Sequence, residues 1–432
     1  MSLTVRPLLP VTGQTVELEF IPDPPLRLEE GKTYTIRLTP LSGFRRYSAG
    51  KSVDTAAFAD FDAWRPVTAE RGRLRLPVRF PQEDEYRIRV LDGEAEIGSP
   101  RVYALDPDLH AAYPLKGDLH NHTYLSDGRE SPAYVIAALR KKGADFASIT
   151  DHGWYEPSLE SVNYWKDLQT DFLVLPGEEV HAPDCQVHIL SVGGRFSVNS
   201  WGYDAASDYR EKLEQERRRL PLGLDEDDRT RIAASQAIFD KAREAGALSL
   251  FCHPFWETAD GFDIHEDVTR YLLDHRRFDA LEVIGGYWPY EYRDNLFQTV
   301  YYYQYGVQTG ALLPLLGCSD CHSTDSGLFT GLFYSIVFAE DNTFEAITKA
   351  VRAGRSVAVK ALPGQMPEAF GDYRYVRLCA FLFDRVFPEH DRLCESEGEC
   401  MRQAVFGRKE SQEELKKPSR RMLSYYDSLK SV

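Results

Sequence analysis

The sequence predicts an α/β chain, a parallel sheet with helices outside it, preceded by a small antiparallel β-sandwich. Three observations predict it. Residues 1–112 carry segments that alternate apolar and polar at the two-residue period of half-buried strands. From Lys116 the pattern changes to short apolar run, loop and helix, repeated along the chain. Histidines and carboxylates sit at the ends of those apolar runs.

The sandwich rests on Thr15–Phe20, Thr33–Leu38, Leu74–Phe80 and Glu85–Leu91, separated by turns bearing Pro and Gly. The loop Asp106–Tyr113 makes a boundary. Ser131 and Pro132 then open a helix over Ala133–Lys142, Gly143 stops it, and Phe146–Thr150 is the next strand. The same order recurs with Ser235 as cap, Gln236–Ala245 as helix, Gly246 as stop and Ala247–Cys252 as strand. It recurs again with Thr343, Gly354 and Ser356–Lys360. Strand–helix–strand units of this kind build a parallel sheet, either open or closed into a barrel. Two insertions interrupt the rhythm: the charged Ser197–Arg231, a solvated surface helix or a cover over a site, and the aromatic-rich Tyr287–Tyr305. The expected domains are 1–112, 113–362 and a C-terminal strand and helical extension, 363–432, packing on the barrel.

Composition bounds the function. The 432 residues are 43% hydrophobic and 27% charged, the make-up of a globular protein of two or three domains. With 51 Lys and Arg against 67 Asp and Glu, the net charge of −16 disfavours nucleic-acid or anionic-membrane partners. Seven scattered cysteines suit reduced thiols, and the start of the sequence has no charged leader ahead of an apolar stretch, so a soluble cytoplasmic protein is expected. Cys318 and Cys321 form a lone CxxC and are read as small packing residues.

The chemistry concentrates in six pieces: GDLHNHTYLSDG from Gly117, TDH ending at His152, LPGEEVHA from Leu175, His188, His253–Pro254, and SDCH from Ser319. His120 and His122 stand two apart, so on a strand they face one side and can hold one ion. In parallel α/β barrels the loops after the strands converge on one face, which gives all six pieces a common explanation. Imidazole with carboxylate favours zinc, manganese or iron, and the number of donors exceeds what one ion takes.

This ordered set resembles the PHP family, the polymerase and histidinol phosphatase superfamily, over Lys116–Lys360. The resemblance implies a distorted (β/α)7 TIM-like barrel holding two or three divalent ions. It implies His120 and His122 on a first ion with Asp320 and a bridging glutamate, Glu179 ahead of Glu178 because Gly177 leads the motif. His188 and His253 would complete a second ion with that glutamate, while His181 could compete with His188. Asp127, His152 and His322 would hold a third. It further implies a phosphoesterase acting on a small-molecule phosphate ester through a water made nucleophilic between the ions.

Asp127, His152 or His322 could instead deliver a proton to the leaving oxygen. Arg129 and Arg195 are candidate phosphate clamps, with solvated arginines as the other reading. A rival reading is hydrolysis of carbamate, amide or carboxyl ester bonds, with Trp288, Tyr290 and Tyr292 lining a substrate pocket or else packing a helix. A non-catalytic or nucleic-acid-processing module is a third, against which the net charge speaks.

Overall fold

Along Leu74–Arg79 every second side chain is buried (Leu74, Leu76, Val78) and the residues between them face solvent. Thr33–Pro40 and Asp84–Asp92 show the same alternation, burying Tyr34, Ile36, Leu38, Tyr86, Ile88 and Val90. An antiparallel ladder with one dry face produces this pattern. The computed structural model describes residues 3–43, 47–48, 51–52, 61, 63–286, 292–324 and 330–431.

The N-terminal unit holds a three-stranded sheet, Leu3–Arg6, Thr15–Pro22 and Leu74–Arg79, paired antiparallel. A five-stranded antiparallel sheet is built on Asp84–Asp92, flanked by Arg101–Ala104 and Thr33–Pro40. Their buried faces share one core, with Leu18, Phe20, Ile36, Val78 and Ile88 all fully buried or nearly so. The chain divides into two units, residues 1–113 with 422–432, and residues 114–421. The expected C-terminal extension is therefore shared between the units. The helix Arg421–Lys430 belongs with the first, where Leu9 N donates to Leu429 O and the Tyr113 hydroxyl to Asp427.

Among the described residues the second unit carries two large sheets, besides the small pair Glu257–Thr258 and Gly261–Phe262. The six-stranded one runs in the order Leu173–Leu175, Phe146–Ser148, Tyr113–Asp118, Phe333–Ala339, Ser356–Lys360, Glu368–Gly371. The five-stranded one runs Gly177–Val180, Ile189–Val192, Leu248–Phe251, Ala280–Ile284, Leu315–Gly317. Parallel bridges at Asn121–Cys321 and His152–Glu179 link one sheet to the other. Where the repeated units predict one parallel sheet, open or closed into a barrel, the strand ladders give two mixed sheets. Ile189–Val192 is antiparallel to both of its neighbours, and Ser356–Lys360 to both of its own. The cause on the first side is length: residues 181–188 are too few to make a crossover helix, so the chain returns as a hairpin.

Most elements fall where the sequence puts them. Thr343 caps its helix by accepting from Ala346 N, and Gly246 ends another at φ 79°, a left-handed conformation that glycine takes without strain. One start is different. The helix expected from Gln236 begins at Glu226 with Asp225 as its cap, and Ser235 lies buried mid-helix, its hydroxyl donating to Arg231 O. Glu226, Asp227 and Asp228 complement the positive end of that helix, so the acidic run extends it N-terminally. The charged insertion forms two more helices, Val198–Tyr203 and Tyr209–Arg219, and buries Tyr209 and Leu213 in the core around Ile232 and Phe239. Among the described residues no helix is long and apolar enough to cross a membrane.

Candidate metal centre

The six chemical pieces meet at one edge of the two sheets. His120 and His122 lie just beyond Tyr113–Asp118, and the peptide between them is pinned by Asn121, whose side-chain amide donates to Asp118 O and Ser148 O. Asp151 fixes the next loop by accepting from Thr123 N, Thr123 Oγ1 and Ser126 Oγ. His188 precedes its strand and Glu179 lies within its own, where the other ligands follow theirs. His188 reaches the same edge because Ile189–Val192 runs antiparallel to Leu248–Phe251, which delivers His253. His253 and Asp320 both hold positive φ, 23° and 50°, uncommon for residues with a side chain and typical of functional sites.

Glu179 is the hub. Its Oε1 lies 2.7 Å from His188 Nδ1 and 3.7 Å from His253 Nε2. Its Oε2 lies 2.7 Å from His152 Nδ1, 3.5 Å from both His120 Nε2 and His122 Nε2, and 3.7 Å from His181 Nε2. Asp320 Oδ1 stands 2.9 Å from His122 Nε2 and 3.2 Å from His120 Nε2. Yet both oxygens of Glu179, His120 Nε2, His122 Nδ1 and His188 Nδ1 are buried with no hydrogen-bond partner. Close approach without hydrogen-bond alignment means that lone pairs converge on shared points, as metal ligands do, and five orphaned buried polar atoms would otherwise be costly. The donor set therefore fits divalent cations, and the sets His120–His122–Glu179, His120–His253–Asp320 and His122–Asp127–His152–His322 each bring their donor atoms within 4.8 Å of one another.

Adjacent positions of a strand face opposite ways, which separates Glu178 from Glu179. Glu178 points to the start of Val198–Tyr203, accepting from Ser197 Oγ at 2.7 Å and Val198 N at 2.5 Å, and burial pushes its carboxyl up to about 7. Gly177 is required beside it, since a Cβ there would stand 2.4 Å from Ser148 Oγ. His181 joins the cluster as well, with His152, Glu179 and His188, though His188 approaches the glutamate more closely.

The Asp127 group sits at the mouth. Asp127 Oδ2 is 3.2 Å from His322 Nε2 and 3.4 Å from His152 Nε2. Although its partial burial opposes ionisation, these two histidines hold its carboxyl well below the ordinary range. Burial lowers His152, but Asp127 and Glu179 more than offset that and raise it to about 10. Burial takes His122 down to about 4 against the pull of Asp320.

Neither arginine lines the cavity of about 240 Å³ over the cluster. Arg129 is exposed in the loop after Asp127. Arg195 donates to Glu244 O, at the C-terminal end of Glu226–Ala245, where a cation suits the helix dipole. Trp288 and Tyr290, and the side chain of Tyr292, lie outside the described residues. Cys318 and Cys321 are fully buried, and burial pushes the Cys321 thiol up to about 12.

Sequence reasoning missed Glu282. Its Oε2 is 2.9 Å from His120 Nδ1, a carboxylate holding the ring whose other nitrogen faces the cluster. It hides within the apolar strand Ala280–Ile284, and a lone buried acid in an apolar run was the available signal. Asp118 is a second. Burial pushes it up to about 7 while Ser319 and the His120 amide donate to it.

No family model and no curated protein matches the sequence. Among solved structures, a two-domain protein from Bacteroides vulgatus, named for a predicted PHP-like metal-dependent phosphoesterase, is similar at 20% identity and a TM-score of 0.40, over 58% of this chain and 66% of that one. The chain thus spans just under two thirds of that protein's length. A protein from Bifidobacterium adolescentis, named as a metal-dependent phosphoesterase, matches at 18% identity and a TM-score of 0.33, over 48% of this chain and 87% of that one. An amidohydrolase from Chromobacterium violaceum, with bound sulfate and no metal, matches at 16% and 0.33, over 50% of this chain and 89% of that one. At such identities and TM-scores none of them fixes an activity for this chain, and the geometry of the site is what bears on it.

Proposed function

We propose that this chain is a metal-dependent hydrolase of the PHP type that cleaves a small-molecule phosphate ester. The observation that carries the proposal is Glu179, a fully buried carboxylate whose two unpaired oxygens face histidines from five separate stretches of chain. His120, His122, Asp320 and Glu179 would hold one divalent ion, His188 and His253 a second with the same glutamate, and Asp127, His152 and His322 a third. Zinc, manganese or iron there would activate water and neutralise the charge of an anionic ester. Glu282 keeps the His120 ring turned so that Nε2 faces the cluster. Where only the first two ions bind, His152 and His322, at the mouth beside Asp127, would instead be placed to hold a proton for the leaving oxygen.

A second reading, hydrolysis of a carbamate, amide or carboxyl ester, is favoured by one observation. Among the described residues lining the cavity there is no lysine or arginine to meet a phosphate.

Elemental analysis of the purified protein is expected to give about two to three metal equivalents, with fewer in His120→Ala and Asp320→Ala and hydrolysis lost with them. Phosphate monoesters, phosphodiesters and aryl carbamates assayed side by side distinguish the two readings. A metal-free parent with full activity overturns both.

A further inference from the structure

The cluster lines part of the cavity, and the rest of the lining has a chemistry of its own. The helix Tyr292–Thr309 contributes Asp294, Asn295 and Gln298 to it, and Trp256 lies beside them with its ring 5.8 Å from that of His188 and 5.9 Å from that of His253. Asn295 is not free to bind a ligand. Its amide clamps both the N–H and the C=O of Gly285, at 2.8 and 2.7 Å, fixing the helix against the loop that completes the cavity.

Asp294 and Gln298 are one turn apart and so share a face of the helix. Gln298 Nε2 donates to Val283 O and to Asn295 Oδ1, which settles the orientation of its amide. Its Oε1 is left buried without a partner on a residue only 2% exposed. Asp294 is half-buried at the same wall, where its carboxylate accepts one long bond, 3.4 Å, from Glu257 N. Among the described residues, Asp294 and Gln298 therefore offer acceptor oxygens here, beside the indole of Trp256. An anionic group placed there would meet a like charge, so the anionic end of a substrate belongs at the histidines.

We infer that Asp294 and Gln298 form an acceptor wall that binds hydrogen-bond donors, hydroxyl or ammonium, on the organic portion of the substrate. The inference rests on the hydrolase reading, since it takes the cluster to hold the scissile group. It makes the substrate an ester of a donor-bearing alcohol and excludes a purely aliphatic one.

Three non-hydrolysable probes test it by calorimetric binding to the metal-loaded protein: propylphosphonate, 2,3-dihydroxypropylphosphonate and 3-aminopropylphosphonate. At least one of the two donor-bearing probes is expected to bind about ten-fold tighter than propylphosphonate, the gain of one charge-assisted hydrogen bond. The tighter of the two identifies the donor. In Asp294→Asn combined with Gln298→Met that ratio is expected to fall toward one, with metal content and melting temperature measured to show that the fold and the cluster are intact. Asp294→Asn alone, the isosteric change, is the control should the double variant fail to fold, and it is expected to lower the ratio in part. Equal binding of all three probes by the parent, or a ratio unchanged in the variants, overturns the acceptor wall and leaves the hydrolase reading standing. No binding of any probe by the fully loaded protein overturns the wall together with the anionic-substrate reading beneath it.

Discussion

Glu179 shows how a single residue can fix the chemistry of a whole cavity. A carboxylate sealed from water with no aligned donor is unfavourable alone, and divalent cations between it and the surrounding imidazoles would relieve that cost. Because ligands that bind only the folded state raise its stability, stripping the protein with a chelator is expected to lower its melting temperature and refilling with zinc or manganese to restore it. In Glu179→Gln this metal-dependent shift is expected to vanish. Glu282 acts one step further out, through the His120 ring. Glu282→Gln is expected to weaken metal affinity by about 10–100-fold, read by competition against a chelator, while the fold persists. The sequence marks Glu179 openly, by its glycine two residues earlier and its histidine neighbours. It hides Glu282, because an acid inside an apolar strand announces burial without naming a partner.

At the scale of elements, the helix Glu226–Ala245 records both the reach and the limit of local reasoning. Its end was legible, since Gly246 is one of the few residues that takes φ 79° without cost. Its start was not, because Ser235 has the capping chemistry while Asp225, ten residues earlier, does the capping. Asp225→Ala is expected to destabilise the protein by about 1 kcal/mol and Ser235→Ala to stay within about 0.5 kcal/mol, measured by denaturant unfolding. A true cap at Ser235 would reverse that order. The antiparallel hairpin Gly177–Val180 to Ile189–Val192 was likewise invisible as a pairing, although its glutamate and histidine were both singled out. Strand direction is set by what lies between strands, and residues 181–188 look like any loop until the ladder forms.

At the scale of the molecule, a buried charge network holds the 114–421 unit together away from the cavity. His390 Nε2 lies 3.0 Å from both oxygens of Asp145, which also accepts from Arg140, and Arg140 donates in turn to Glu397. Burial opposes the charged form of His390, but Asp145 raises its pKa well above 6.5. A group raised on folding stabilises fully below its unfolded pKa and loses that contribution as pH rises through the folded value. The excess stability of the parent over His390→Gln is therefore expected to be largest at and below about pH 6.5, about 3–5 kcal/mol, and to shrink as the pH is raised through the folded pKa. Unfolding midpoints of the two proteins across that range measure it, and a difference that grows with pH would contradict the assignment.

What the sequence determined by itself was local and compositional. Period-two alternation made the sandwich strands, glycines and caps bounded a few of the helices, and the residue types at the apolar run ends pointed to metal chemistry, because each depends only on neighbours along the chain. Tertiary structure alone decided which acids support the histidines, that Arg195 serves a helix end, that residues 422–432 return to the N-terminal unit, and that Asp294 and Gln298 line the cavity of the cluster. Those facts are contacts between stretches 49 or more residues apart, or orientations set by packing, and no one-dimensional pattern carries the distance between two side chains.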